Sequence, residues 1–244
     1  MPKTGLWCET LLVGHHLRLV IRRFGRMLNS MKGKLLLPLA LMLVFALSRI
    51  PGMLPQNFSA AYALVFCAGV YFSGRVGWWL PLGTLLLTDI ALDLYYLSLG
   101  WHVFDLPTIK YQLINYVAYA CLIWLGRRFK PQSSFLSLLG GGILGAMLFY
   151  LITNTASWLF NPFQNPEYTH NLLGWLTALI KGTAGWPETW QFFRNTLLSG
   201  GLFTGLFVGA MKLVEAAESA KEKESQEEPV PEPQSEDEPE EAKP

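Results

Sequence analysis

Six long apolar runs, separated by short segments rich in polar residues, Pro or Gly, make up most of the chain. A helix needs roughly 20 mostly apolar residues to cross a bilayer, with a range of about 17–25. The runs that meet or approach this length are 33–50, 57–74, 78–99, 109–126, 134–160 and 190–213. The pattern predicts an all-α membrane protein, a compact bundle of six transmembrane helices over residues 31–214. The fifth run is long enough to tilt or to break near Asn154.

The connection between the fifth and sixth runs, 161–189, is the longest one. It holds a short amphipathic stretch between Pro166 and Pro187. Connections of this length usually have a function or a structure of their own. We expect an interfacial helix that covers one end of the transmembrane helices. A linker lying on the surface is the alternative interpretation.

The two ends of the chain differ from the apolar region in charge. Residues 1–30 form a basic, weakly amphipathic segment, which suits an anionic leaflet. Because Met31 is a second plausible start, this segment is equally well interpreted as an upstream extension. Residues 215–244 form an acidic tail rich in Pro and Glu, and such a composition predicts disorder after a helical extension to about Lys223.

The composition indicates a membrane protein, and the distribution of charge along the chain indicates its orientation. About half of the residues are hydrophobic, and the formal net charge of +1 is a cancellation between a basic N-terminal segment, a moderately basic apolar region and an acidic tail. The basic cluster Arg127, Arg128 and Lys130 lies in a connection that faces the cytoplasm if the N-terminus is inside, as the positive-inside rule requires. We therefore expect a multi-pass membrane protein with both termini cytoplasmic.

Motifs of common enzyme classes do not occur in the sequence. The cysteines Cys8, Cys67 and Cys121 are odd in number and widely spaced, so they support neither a disulfide framework nor a zinc site. No nucleotide-binding loop, hydrolase elbow or metalloprotease pair occurs. We expect no catalytic residues, no cofactor, no metal and no nucleic-acid partner.

The third apolar run carries two acids, Asp89 and Asp93, which share one helix face because they are four residues apart. A carboxylate at bilayer depth is costly and indicates a functional site by default. On the predicted topology, polar residues of the other runs reach the same outward level, so we expect a ligand pocket open to the outside. The candidate ligand-binding residues are Asn57, Asp89, Asp93, Asn115, Tyr116, Asn154, Trp158, Arg194 and Asn195.

Two alternatives need no ligand. Polar and aromatic residues are common near the ends of membrane helices, where tryptophans form interfacial belts. An ion pair, for example Asp93 with Arg194, would also hold these charges. Small residues recur every four positions at Gly201, Gly205 and Gly209, a spacing that favours close helix packing within the bundle or with a partner protein.

Two segments of the chain resemble an uncharacterised family of bacterial six-helix membrane proteins. The first runs from Arg49 to Asp89 and contains Pro55-Gln56-Asn57-Phe58-Ser59, Ala68-Gly69-Val70-Tyr71-Phe72, Trp79-Leu80-Pro81-Leu82 and Thr88-Asp89. The second joins Ile152-Thr153-Asn154 to Phe192-Phe193-Arg194-Asn195-Thr196-Leu197. The resemblance covers about 31–214. That family is in turn similar in size and pattern to the substrate-binding components (S components) of energy-coupling-factor (ECF) vitamin importers.

The resemblance implies six helices, cytoplasmic termini and an outward pocket for a micronutrient. The Ala-x-x-x-Ala patch by which the first helix of those importers docks a coupling subunit is absent, because Ala40 and Ala46 are six residues apart. We expect an integral membrane substrate-binding or transport protein for a small micronutrient. The alternative is a non-catalytic structural or assembly subunit of a larger membrane complex.

Overall fold

The computed structural model describes residues 40–227, with side chains described up to residue 220, and every regular element in this part is an α-helix. The all-α prediction is therefore confirmed for the described residues. The helices are α1 (described from residue 40 to its end at residue 48), α2 (Ala61–Tyr71), α3 (Val76–Ser98), α4 (Leu106–Gly126), α5 (Phe135–Phe160), α6 (Leu172–Ile180) and α7 (Thr189–Glu227). Predictions for residues 1–30 and for the tail beyond residue 227 lie outside the described residues.

Three of the described helices are long and apolar enough to cross a membrane: Val76–Ser98, Phe135–Phe160 and Thr189–Ala220. They support the predicted membrane protein. Helix α5 is continuous, so the break considered near Asn154 is absent. Helix α4 has 21 residues, but its first turns carry Lys110, Gln112 and Asn115, which lower its apolar character.

Helix α2 is much shorter than the predicted run 57–74. It has 11 residues, about 16 Å at 1.5 Å per residue, which is too short to cross a bilayer alone. The start of the run is a turn instead, in which the Phe58 N–H donates to Pro55 O (2.9 Å) and Asn57 takes a left-handed φ of 59°. The turn chemistry of this Pro- and Asn-containing segment outweighs its apolar character.

Although short, α2 lies at the centre of the core. Its residues 61–70 are all buried, and it packs against α3, α4 and α5. A helix that is apolar on every side is typical of such a position. The backbones of α2 and α4 touch where Gly69 meets Gly126, since a Cβ on Gly126 would lie 2.2 Å from Phe66 O.

Helix α6 confirms that the long connection contains a short helix. The side chain of Asn171 caps it by accepting from the Gly174 N–H (2.8 Å), and Trp175 Nε1 donates to Thr155 Oγ1 on α5 (3.0 Å). The rest of the connection is tied by the Ala184 N–H, which donates to Glu167 Oε1 (2.9 Å) and lowers the pKa of that carboxyl. The interfacial location of α6 stays a prediction.

The described residues divide into two compact units, and the division lies at residues 208 and 209, within the sequence of α7. The first unit extends to Val208 and holds all the packing described above. The second begins at Gly209, and in it Lys212 pairs with Glu215 at 3.3 Å.

Candidate functional site

One face of α3 changes from apolar to acidic along its length. Gly77, Pro81 and Leu85 are the buried residues of this helix, and they are spaced four apart. Asp89 and Asp93 continue the same spacing, so they fall on the face that α3 turns toward the other helices. The sequence therefore directs both carboxylates inward and leaves lipid-compatible side chains such as Leu87 exposed.

Helix α4 meets these carboxylates with two hydrogen-bond donors. Tyr116 Oη donates to Asp89 Oδ2 (2.7 Å), and Gln112 Nε2 donates to both oxygens of Asp93 (3.1 and 3.0 Å). Because α3 and α4 are antiparallel and each pair is spaced by four residues, the two contacts form successive rungs one helical turn apart. We call Asp89, Asp93, Gln112 and Tyr116 the α3–α4 ladder.

Asp89 also pairs with a cation from α1. Arg49, just after the helical residues 40–48, places Nη2 at 2.5 Å from Asp89 Oδ1, and its Nη1 donates to Thr88 Oγ1 (3.0 Å). Both side chains are largely buried, with 19% of Arg49 and 18% of Asp89 exposed. Asp89 therefore has a partner for each oxygen, and its charge is compensated within the chain.

The ion pair differs from the Asp93–Arg194 example considered above. Arg194 lies on α7 with its guanidinium 5.5 Å from the ring centre of Trp190. The ion pairs of the described residues are Arg49–Asp89 and Lys212–Glu215, so Asp93 has no cationic partner in this part of the chain. The second rung of the ladder therefore carries an uncompensated carboxylate with one amide donor.

The ladder lies well inside α3 rather than at its tip. Asp89 and Asp93 are ten and six residues from Leu99, which corresponds to about 15 and 9 Å along the helix. One turn farther along α4, Tyr119 packs against Phe149 and Tyr62, with ring centres 4.7 and 6.5 Å away. These three rings are buried and form an aromatic floor on one side of the ladder. The opposite side of the ladder faces the end where α3 ends and α4 begins.

The other predicted site residues have separate partners. Asn154 Nδ2 donates to Tyr150 O of its own helix (2.9 Å), and Trp158 Nε1 donates to Thr169 O (2.7 Å). Asn195 Nδ2 donates to Gln56 O (2.9 Å), in the turn that holds Asn57. The structure thus brings Asp89, Asp93 and Tyr116 together and ties Asn154, Trp158 and Asn195 to main-chain oxygens elsewhere.

The two remaining predicted residues, Asn115 and Asn57, lie outside the ladder. Asn115 is next to Tyr116 on α4, and its Oδ1 is buried without a hydrogen-bond partner in the described part of the chain. The Asn57 side chain is exposed, while its main-chain oxygen faces the Tyr62 hydroxyl at 3.4 Å. No hydrogen bond links either asparagine to the ladder in the described part of the chain.

Sequence reasoning missed Arg49 and Gln112 as members of the network. A signal for Gln112 was present, because Gln112 and Tyr116 have the same four-residue spacing as Asp89 and Asp93 on the adjoining helix of a hairpin. Arg49 gave no such signal, since it is about 40 residues from its partner. The glycines Gly201 and Gly205 face side chains of α5, namely Ile143 and Leu139.

Two cavities formed by described residues lie away from the ladder. One, of about 370 Å³, is at the connection between α3 and α4 and is lined by Leu97, His102 and Asp105 among others. The second, of about 240 Å³, lies between α5, α6 and α7. Neither cavity is lined by a residue of the ladder, so the pocket predicted around Asp89 and Asp93 stays a prediction.

Comparison with known proteins gives one match. The model of a family of unknown function (DUF6580) matches residues 29–223, which include all the described helices except the last turn of α7. No curated protein and no solved structure matches the chain. The predicted resemblance to an uncharacterised family is confirmed, whereas the further likeness to ECF S components receives no support and stays a prediction.

Proposed function

Because the chain belongs to the family of unknown function DUF6580, we propose its function from the geometry of the α3–α4 ladder. The protein is an integral, multi-pass inner-membrane protein that binds a small, partly polar micronutrient at the ladder and serves its transport, without changing it chemically. Its membrane domain is formed by α1 to α5 and α7, in which α3, α5 and α7 are long and apolar enough to cross the bilayer and the short α2 is buried among its neighbours. The site opens to the outside, and both termini are cytoplasmic.

The uncompensated charge of Asp93 carries this proposal. An ionised side chain in a membrane helix is expensive unless it is paired or reaches water. Asp89 has Arg49 as its counterion, but among the described residues Asp93 has only the neutral Gln112 amide. A solute with an ammonium or another strong hydrogen-bond donor would compensate Asp93, so the ligand expected here carries such a group.

The outward direction rests on features at the two ends of the helices. The aromatic floor separates the ladder from the ends of α2 and α4 that meet at Gly69 and Gly126. Just beyond that end, Arg128 lies over the ring of Trp124 at 4.2 Å. Arginine beside tryptophan is typical of a membrane interface, and an excess of basic residues is typical of the cytoplasmic one. The ladder then faces the opposite, outer side.

Thermal unfolding of the detergent-purified protein against a panel of vitamins and metal ions tests the proposal. A ligand at one hundred times its dissociation constant should stabilise the protein by about 2.7 kcal/mol. In Asp93→Asn the stabilisation should be lost, while stability without ligand stays within about 0.5 kcal/mol because asparagine still accepts from Gln112. Glu218→Gln, which removes an exposed acid from α7, is the charge-matched control and should keep the full shift.

The contradicting outcome has two parts. If no compound in the panel shifts unfolding, and a strain carrying Asp89→Ala takes up the same compounds as the wild type, the ladder has no solute. A structural or assembly subunit is then the better interpretation, and one observation already favours it: both Asp89 oxygens are satisfied within the chain. Co-purification of a partner at fixed stoichiometry, unaffected by Asp93→Asn, would support that second function.

A further inference from the structure

The second cavity is an apolar crevice between α5, α6 and the first turn of α7. We call it the α5–α6–α7 crevice, and its volume is about 240 Å³. Its walls are Met147 and Leu151 of α5, Leu179 and Ile180 of α6, and Trp190 and Phe193 of α7. No residue of the α3–α4 ladder lines it, so the inference drawn from it rests on the proposed membrane location but not on solute binding at the ladder.

The crevice has little to offer a polar solute. Its one hydroxyl belongs to Tyr150, which donates to the main-chain oxygen of Leu179 and lies 3.3 Å from that of Thr189. The same tyrosine ring packs on Phe193, with ring centres 4.6 Å apart. The Tyr150 hydroxyl therefore joins α5 to the two ends of the 179–189 connection, and the space beside it is apolar.

Two of the helices that form the crevice are among the three able to cross a membrane. The wall residues Leu151, Ile180 and Trp190 are 40%, 50% and 42% exposed, so the crevice opens sideways through side chains that suit hydrocarbon. Apolar surface on a membrane helix is covered by acyl chains. An acyl chain fits the chemistry of both the walls and the opening.

The rim of the crevice is charged. Lys181 directly follows the wall residue Ile180 at the end of α6, and Arg194 follows Phe193 with its guanidinium over the Trp190 ring at 5.5 Å. Neither cation belongs to an ion pair among the described residues. One acid, Glu188, is also present and accepts from Trp190 Nε1 (2.6 Å). Arg194 therefore offers a cationic donor to a phosphate beside the wall residue Trp190. Lys181 adds a second cation one residue after the wall residue Ile180, and Glu188 offers a carboxylate to an ammonium.

We propose that the α5–α6–α7 crevice binds one acyl chain of a phospholipid from the adjoining leaflet, with its phosphate held by Lys181 and Arg194. Apolar walls and phosphate-binding donors are the two requirements of a phospholipid site, and they occur here side by side. The bound lipid would fasten α6 to α5 and α7. Glu188 favours a headgroup that carries an ammonium, such as phosphatidylethanolamine.

Native mass spectrometry of the delipidated, detergent-purified full chain, titrated with phosphatidylethanolamine, phosphatidylglycerol or diacylglycerol, tests the proposal. The wild type should retain one phospholipid and bind diacylglycerol, which lacks the phosphate, about tenfold more weakly. Lys181→Gln/Arg194→Gln should lose a similar factor in phospholipid affinity. Leu151→Trp, which fills the crevice, should reduce binding of all three lipids.

Two matched control variants distinguish lipid bound in the crevice from lipid that binds non-specifically to the apolar surface. Leu198→Trp changes an exposed leucine of α7 outside the crevice, and Lys130→Gln removes a cation elsewhere, so both should bind lipid as the wild type does. If Leu151→Trp does not fold, Ile180→Phe narrows the same crevice with a smaller change in volume. Equal phospholipid retention in the wild type and in either the crevice-filling or the rim variant would overturn the proposal. So would equal affinity for phospholipid and diacylglycerol.

Discussion

Asp89→Ala should lower the free energy of unfolding by about 3 kcal/mol, because it leaves the Arg49 guanidinium largely buried without its counterion. The value is at the lower end of the range for broken buried pairs, since about a fifth of each side chain is exposed. The substitution also removes the acceptor of the Tyr116 hydroxyl. Denaturant titration of the purified protein, followed by far-ultraviolet circular dichroism, measures the change.

A double-mutant cycle separates the interaction energy of the Arg49–Asp89 pair from the effect of removing one carboxylate alone. Arg49→Met should also destabilise the protein, while Asp89→Ala/Arg49→Met should lose clearly less than the sum of the single changes, because neither charge is then left alone. Additive losses would contradict the direct pairing. Asp105→Asn is a control for general charge effects, since Asp105 is exposed and outside the ladder, and asparagine can keep the N-cap of α4 by accepting from the Thr108 N–H.

Gly126→Ala should destabilise the protein by about 3 kcal/mol or prevent its folding, because the new methyl group would lie 2.2 Å from Phe66 O. The obstructing atom belongs to the backbone of α2, which cannot move aside by changing a side-chain rotamer. Gly69→Ala should behave similarly, as its Cβ would lie 2.3 Å from Ile123 O. The yield of monodisperse protein and its unfolding midpoint measure both effects.

Glycines in open positions are the matched controls. Gly83 in α3 and Gly140 in α5 have no heavy atom within 4 Å of an added Cβ. Alanine there should be neutral or stabilise its helix by up to about 1 kcal/mol, because alanine has the higher helix propensity. If Gly126→Ala behaved like Gly83→Ala, the close approach of α2 and α4 would not exist.

The sequence pattern predicts the long helices well and the short one poorly. For α3 and α5, about 20 mostly apolar residues favour a helix, which satisfies the backbone in a membrane, and α3 continues through Pro81. The run 57–74 has a similar hydrophobicity, but Pro51, Pro55 and Asn57 end α1 early and delay α2. Hydrophobicity therefore predicts where this helix lies, whereas the residues of the preceding turn determine how long it is.

The sequence predicts those residues of the candidate site whose positions follow from spacing along one helix or from the adjoining antiparallel helix. The spacing of Asp89 and Asp93 defines a helix face, and Tyr116 follows from the antiparallel neighbour. The position of Arg49 depends on how the turn after α1 meets the middle of α3, which no periodicity encodes. The hydrogen-bond partners of the amide side chains are the hardest to predict. Asn154 Nδ2, for example, donates to a main-chain oxygen of its own helix instead of to the carboxylates of α3.

Thiol accessibility at position 93 tests the central claim most directly, that a water-accessible site opens outward beside the ladder. Asp93→Cys, in a chain whose three native cysteines are replaced by alanine, should react in whole cells with a membrane-impermeant thiol reagent. Leu87→Cys on the exposed face of α3 should not react, because hydrocarbon covers that face and suppresses the thiolate. No labelling at position 93, or labelling only after the cells are opened, would contradict the account.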